Sequence, residues 1–135
     1  MRKFLFIAVI VLAASLSSNA QVGTLTWSGF GNTLDTVTNA GTKYAGVTIG
    51  ATPPKAFNFL IKVTKISGTV GGTISWQGSN NGTDYVTIST SSPSDASANY
   101  QYSVSGWTPF KYYRVSWTGT GTMSASVQGT YYRVW

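Results

Sequence analysis

The chain has 135 residues, with no Cys, no His and only three acidic residues, all of them Asp. Nine Lys and Arg residues give it a formal net charge of +6. These absences exclude a Ser-His-Asp triad, a Cys nucleophile, a His-ligated metal and a catalytic pair of Glu residues. We therefore expect no catalytic residue, no cofactor and no metal site.

The first twenty residues have the pattern of a bacterial export signal. Arg2 and Lys3 form a basic start, and the apolar run from Phe4 to Leu16 is short for a bilayer span. The small residues Ser18 and Ala20 then predict signal-peptidase cleavage before residue 21. An uncleaved membrane anchor is the alternative. We expect a protein that is secreted or held at the cell surface, with the periplasm as a further option.

Residues 21–135 suit a single domain, and their pattern predicts an all-β fold of about eight strands. No window keeps the apolar spacing of an amphipathic helix, whereas Thr, Ser, Val, Tyr, Trp and Gly are abundant. The predicted strands are 23–29, 32–38, 43–50, 56–66, 72–78, 84–90, 100–106, 110–117 and a final segment over 122–135. Their spacing indicates an antiparallel β-sandwich or jelly roll.

The segment 56–66 is the clearest strand, because apolar side chains occupy every second position. Its Phe and branched residues share one face, which we expect to be buried. In the final segment, Met123, Ala125 and Val127 alternate in the same way, and Gly129 predicts a bulge or bend. Upstream, 21–29 could pair with a neighbouring chain as an edge strand.

The charged residues indicate no active site. Asp35, Asp84 and Asp95 each stand beside Thr, Ser or Asn in turn-like sequence, so we expect them to form turns or caps. A hydrolase based on two Asp residues is the weakest alternative. Without the leader, seven scattered basic residues remain, which fits charge dispersal for solubility. Weak affinity for an anionic surface (lipopolysaccharide, acidic glycan or nucleic acid) is the other interpretation.

The stretch "GSNNGTDY", residues 78–85, predicts a tight hairpin between two alternating strands. Asn80, Asn81 and Gly82 tolerate positive φ angles, which such a turn requires. The same loop is a candidate ligand or interface site through Asn80, Asn81 and Tyr85.

The five Trp residues are expected first to fill the core of a chain that lacks Cys. Because five exceed the usual need of one small core, a protein interface and a sugar-stacking platform are the alternatives for some of them. Trp107 is the best candidate for an exposed ring, because "SGWTPF" places it in a loop bounded by Gly and Pro. Tyr100 and Tyr102, on the preceding predicted strand, complete the candidate surface.

Residues 73–89 resemble the strand–turn–strand signature of discoidin-like (coagulation-factor type C) β-sandwiches, and they are similar to short jelly-roll proteins of bacteriophages and their hosts. Asn81 stands where that signature commonly has Asp, and Tyr85 where it commonly has Trp. The later "FKYYRVSWTG", 110–119, is similar to the strand that often follows in those proteins. The resemblance implies a β-sandwich whose relatives act in adhesion, glycan binding or virion structure.

We predict a secreted, non-catalytic β-sandwich with a structural, adhesion or assembly role, at a cell surface or in a virion. Self-association or a surface partner is expected, with no nucleic-acid partner and no stable membrane insertion after cleavage. One alternative is a small carbohydrate-binding module that uses exposed Trp and Tyr rings. The other is a small outer-membrane β-barrel, against which short, Ser- and Thr-rich strands count.

Overall fold

Every regular element in the described part of the chain is a β-strand. The computed structural model describes residues 20–27, 33–50, 52–106 and 108–135. The nine strands are β1 (Ala20–Thr24), β2 (Leu34–Thr38), β3 (Thr42–Thr48), β4 (Ala56–Gly68), β5 (Thr73–Ser79), β6 (Val86–Ser91), β7 (Ala98–Ser105), β8 (Tyr112–Thr118) and β9 (Met123–Val134). The predicted leader lies outside the described residues, apart from Ala20. Within these residues there is no helix of the length and apolarity that crossing a membrane requires.

The strands form two antiparallel sheets. One is five-stranded, with the order β1-β9-β4-β7 and with β2 also pairing with β9; the other is four-stranded, with the order β3-β8-β5-β6. From β2 onward, every connection except the β5–β6 hairpin passes from one sheet to the other. This arrangement confirms the predicted antiparallel β-sandwich.

Strict alternation along the strands builds the core between the sheets. In β4, Phe57, Phe59, Ile61 and Val63 are each at most 1% exposed, as their spacing predicts. Their neighbours Asn58, Leu60, Lys62 and Thr64 form the outer face of the five-stranded sheet. Burial of apolar surface is the dominant favourable term in folding, and here the two sheets share one apolar cluster.

Three of the five Trp residues belong to that cluster. Trp27, Trp76 and Trp117 are almost fully buried, which confirms the core interpretation for them. Trp76 of the four-stranded sheet lies between two rings of the other sheet, with centroids 5.9 Å from Phe59 and 5.8 Å from Tyr102. This run of rings joins the sheets at their centre.

Gly129 does not mark a bulge, contrary to prediction. Pairing between β4 and β9 runs through it without a shift, and the irregularity lies in β4 between Lys65 and Ser67. Gly129 is needed for space: an added Cβ would lie 2.6 Å from Cδ1 of Leu25. At this point β9 stops pairing with β1 and starts pairing with β2. The glycine therefore admits the buried Leu25 rather than bending the strand.

The three Asp residues hold local structure, although Asp35 is in a strand rather than a turn. Asp35 lies in β2 and forms an ion pair with Lys43 at 3.2 Å. Asp95, in the loop between β6 and β7, accepts hydrogen bonds from Lys65 Nζ at 2.7 Å and from the Val70 amide at 2.6 Å. Those two donors, the Lys65 ammonium first, hold the pKa of Asp95 below its usual range.

Candidate binding groove on the four-stranded sheet

The outer face of the four-stranded sheet carries polar side chains in cross-strand rows. The register places Arg114 of β8 opposite Gly46 of β3 on one side and opposite Gln77 of β5 on the other. Thr87 of β6 continues the row beyond Gln77. Arg114 and Gln77 each lie between two buried residues, so they point away from the core, and Thr87 is itself exposed.

Hydrogen bonds along this row fix the orientation of the Arg114 side chain. Arg114 Nε donates to Gln77 Oε1 at 2.6 Å, and Gln77 Nε2 donates to Thr87 Oγ1 at 3.2 Å. The Gln77 amide thus accepts from one neighbour and donates to the other. A long side chain that usually moves freely is here held in one direction across three strands.

Two tyrosine rings flank the guanidinium group. The Cζ atom of Arg114 lies 3.8 Å from the ring centroid of Tyr85 and 5.8 Å from that of Tyr44. At such distances the positive charge is attracted to the electron-rich ring faces, by roughly 0.5–1 kcal/mol at an exposed site. The Tyr44 ring remains 49% exposed, so one aromatic surface beside the charge is open to a ligand.

These side chains line an open groove of about 350 Å³. Gly46 keeps it open, because it contributes no side chain between Tyr44 and Arg114. A Cβ at Gly46 would meet Tyr113 O at 3.2 Å and Arg114 Cβ at 3.5 Å, so larger residues would stand in the groove. The remaining lining residues are Thr26, Ala45 and Gly82.

The loop that carries Tyr85 is held by its own polar side chains. Ser79 Oγ accepts hydrogen bonds from the Asn81 and Gly82 amides, at 3.3 and 2.9 Å. Asn81 Oδ1 accepts from the Thr83 and Asp84 amides, each at 2.9 Å. An Asn or Ser side chain that caps nearby amides in this way replaces missing strand partners.

The predicted hairpin is correct, but the turn is longer than predicted. β5 ends at Ser79 and β6 begins at Val86, which leaves six loop residues instead of a tight turn. Of the three residues expected to tolerate positive φ, only Gly82 adopts it, at +78°. In this longer loop, the side chains of Ser79 and Asn81 accept the hydrogen bonds of the loop amides.

The candidate residues from the sequence separate into different places. Tyr85 lies in the groove, whereas Asn80 and Asn81 line a neighbouring depression of about 230 Å³ beside Phe110. Trp107 lies outside the described residues. One of the predicted residues thus lies in the groove, and two line the neighbouring depression.

Tyr100 and Tyr102 lie on the other side of the molecule from the groove. Both alternate inward on β7 and pack against the core. The Tyr100 hydroxyl accepts a hydrogen bond from the Ser94 amide at 2.8 Å, which ties down the loop before β7. Partial burial raises the pKa of the Tyr102 hydroxyl.

Sequence reasoning missed Tyr44, Arg114 and Gln77. Alternation alone could have placed some of them on an outer face. Tyr44 and Gly46 flank Ala45, and Arg114 precedes Val115 in a strand that was predicted correctly. The missing information was the pairing of β3, β8 and β5, which places these residues in adjacent rows.

No family model matches the chain, and no curated protein matches its sequence. Among solved structures, the PBSX exported protein XepA is similar, with a TM-score of 0.57 and 15% identity over 84% of this chain and 36% of XepA. The chain thus spans about a third of the length of XepA. At this identity the likeness supports the fold alone.

Weaker similarities are found to a family 29 carbohydrate binding module and to a protein of the Bacillus endospore appendages, described as disulfide-linked pili. The first has a TM-score of 0.44 and 13% identity over 88% of this chain and 79% of the module. The second has a TM-score of 0.47 and 13% identity over 87% of this chain and 89% of the appendage protein. The discoidin-like part of the sequence resemblance stays a prediction.

Proposed function

We propose that this protein is an exported, non-catalytic β-sandwich that binds carbohydrate in the groove on its four-stranded sheet. The observation that carries the proposal is the Arg114 guanidinium, held by Gln77 and flanked by the rings of Tyr44 and Tyr85. Export rests on the leader predicted for the first twenty residues.

Carbohydrate suits this combination of groups. A sugar ring has an apolar face of C–H groups, which packs on an aromatic ring, and a rim of hydroxyls, which need hydrogen-bond partners. The exposed Tyr44 ring supplies the first contact, and the N–H groups of Arg114 supply hydrogen-bond donors for the hydroxyls.

The surface beside the groove extends the same chemistry. The next row across the sheet places Tyr44 opposite Ser116, Ser116 opposite Ser75 and Ser75 opposite Thr90. These hydroxyls both donate and accept, and they lie on a face that is open along its length. An open, hydroxyl-lined face of this kind fits a segment of a polysaccharide better than a small enclosed ligand.

The direct test is binding of the mature protein to a glycan array, followed by calorimetry with the glycans that bind. We expect Tyr44→Ala to weaken binding about ten-fold, because losing one stacking contact removes roughly 1.4 kcal/mol. Tyr132→Ala is the matched control, since Tyr132 is a similarly exposed ring, 42% against 49%, on the other sheet. Absence of binding by the unaltered protein, or equal loss in both variants, would contradict the proposal.

Assembly is the second candidate function, and the outer face of the five-stranded sheet favours it. Val22, Leu60 and Tyr132 are 70%, 39% and 42% exposed there. Val22 lies directly opposite Tyr132, and Leu60 lies in the next row on the same face. Beside them β1 is the edge strand among the residues that the structure describes, and its outer side can pair with β1 of a second copy.

Light scattering over a range of concentrations tests assembly separately. If the second copy binds at this face, Val22→Lys should shift the protein towards monomer, because a charge on an edge strand opposes pairing. Thr42→Lys is the control, since Thr42 lies on the edge strand of the other sheet. A monomer at every concentration would remove the support for assembly and would leave the carbohydrate proposal untouched.

A further inference from the structure

We propose that the groove recognises an acidic sugar, with the carboxylate of a uronic acid residue bound by the terminal nitrogens of Arg114. This inference rests on the proposed function and specifies its ligand class. It follows from three features of Arg114: its unused donors, its unpaired charge and its fixed plane.

Arg114 retains most of its hydrogen-bonding capacity. A guanidinium group has five N–H donors, and the single Nε donor is used by Gln77. Among the described residues, no hydrogen bond uses either Nη atom of Arg114. Four donors therefore remain on a side chain that lines the groove.

The positive charge of Arg114 is also unpaired within the part of the chain that the structure describes. The two ion pairs found there join Lys43 to Asp35 and Lys65 to Asp95. Asp84 is next to Tyr85 in the sequence, but its carboxylate accepts a hydrogen bond from Asn81 Nδ2 at 2.7 Å and forms no ion pair with Arg114. An anionic ligand would supply the missing charge.

The plane of the guanidinium is set before any ligand binds. Stacking on Tyr85 fixes one face of the group, and the bond to Gln77 fixes its rotation. A carboxylate presents two oxygens in one plane, which matches a pair of guanidinium N–H donors. Because the side chain is already ordered, less conformational entropy is lost when such a bidentate contact forms.

The neighbouring Tyr44 ring indicates that the ligand is a sugar acid rather than a free anion. Tyr44 is half exposed and its ring centroid lies 5.8 Å from Arg114 Cζ, a distance over which a pyranose ring stacked on Tyr44 can bring its own carboxylate to Arg114. The absence of a side chain at Gly46 leaves room between the two groups. Stacking and charge recognition then come from one ligand residue.

The experiment measures binding by calorimetry to three kinds of oligosaccharide: uronate oligomers (galacturonate, mannuronate and glucuronate types), their methyl esters, and sulfated neutral oligomers. We expect at least one uronate oligomer to bind ten-fold or more tightly than its ester, because esterification removes the charge and keeps the sugar. Arg114→Gln should abolish that preference. Arg114→Lys should restore less than a third of it, because an ammonium group keeps the charge but loses the planar pair of donors.

Two further variants separate recognition from net charge and from folding. Lys55→Gln removes the same charge before β4 of the other sheet, and we expect unchanged binding. Gly46→Thr keeps every charge but places a side chain in the groove, and we expect binding to fall ten-fold or more. Thermal unfolding of each variant confirms that it is folded.

The outcomes distinguish this inference from the proposed function. Three results would overturn the uronate inference. These are equal affinity for acid and ester, an undiminished preference for the acid in Arg114→Lys, or equal losses of binding in Arg114→Gln and Lys55→Gln. Tighter, Arg114-dependent binding of the sulfated oligomers would also overturn it. If neutral sugars bind and Tyr44→Ala weakens them, the proposed function stands without the inference; if no glycan of any charge binds, both fall.

Discussion

The outer faces of the two sheets differ in how their side chains are held. On the four-stranded sheet, Arg114 and Gln77 are bonded to each other, and a loop residue, Tyr85, stacks on the charge. On the five-stranded sheet, Leu60 and Tyr132 project outward with large exposed apolar surfaces. The first face holds a charged group against aromatic rings in a groove. The second face also has hydrogen-bonded polar side chains, since Ser103 Oγ accepts from Asn58 Nδ2 and from Gln101 Nε2, but it combines them with exposed apolar area.

The difference originates in the outward residues of the strands and in the β5–β6 loop. Both sheets use the same alternation, but the outward positions hold Arg114 in β8 and Leu60 in β4. Only on the four-stranded side does Ser79 anchor a loop that turns Tyr85 back onto the sheet. A flat sheet face becomes a groove when a neighbouring loop supplies a wall.

The largest expected effect comes from a residue on which both faces depend. Trp76→Ala should destabilise the protein by about 3–5 kcal/mol, because it leaves a cavity in the aromatic run between the sheets. Urea unfolding at neutral pH measures this loss. A loss below 1 kcal/mol would mean that Trp76 does not join the sheets as its contacts indicate.

The next prediction separates the groove from the core. Ser79→Ala should cost about 1 kcal/mol, since the Asn81 and Gly82 amides lose their acceptor. We also expect faster amide hydrogen exchange over 80–85 and weaker glycan binding, because Tyr85 is no longer held. Unchanged exchange in that loop would show that Ser79 does not anchor it.

A matched pair of surface variants sharpens the comparison of the two faces. Tyr44→Ser and Tyr132→Ser should each change the free energy of unfolding by less than about 0.5 kcal/mol, as is usual for exposed positions. Only Tyr44→Ser should weaken glycan binding. If Tyr132→Ser weakens binding instead, the ligand site is on the five-stranded sheet.

The smallest expected effect is a pH dependence at one end of β4. Lys65 and the Val70 amide lower the pKa of Asp95 below its usual 3.8, so the folded state binds this proton less readily than the unfolded state. The resulting stabilisation is present above about pH 4 and is lost as the pH falls through the lowered pKa. Asp95→Asn should remove this part of the acid sensitivity, measured as urea midpoints between pH 5 and 2. Parallel midpoint curves for the two proteins would contradict it.

Local patterns were sufficient to predict the fold but not the groove. The alternation of Phe57, Phe59 and Ile61 predicted β4 and its buried face, because a strand repeats every two residues whatever its partners are. Tyr100 and Tyr102 turn inward by the same alternation and pack against the core, so their proposed part in a ligand or interface site stays a prediction. The groove needed strand register and a loop conformation, and neither can be read from one strand at a time.

The outward placement of the groove residues also affects how this surface can change. Tyr44, Gln77 and Arg114 alternate with buried residues, namely Ala45, Trp76 and Val115, so their side chains can be exchanged without altering the interior. Substitutions there should therefore be tolerated individually and in combination, which makes the face a natural site for diversification. We expect a combinatorial library at these three positions to stay folded while its members differ in the sugar they bind.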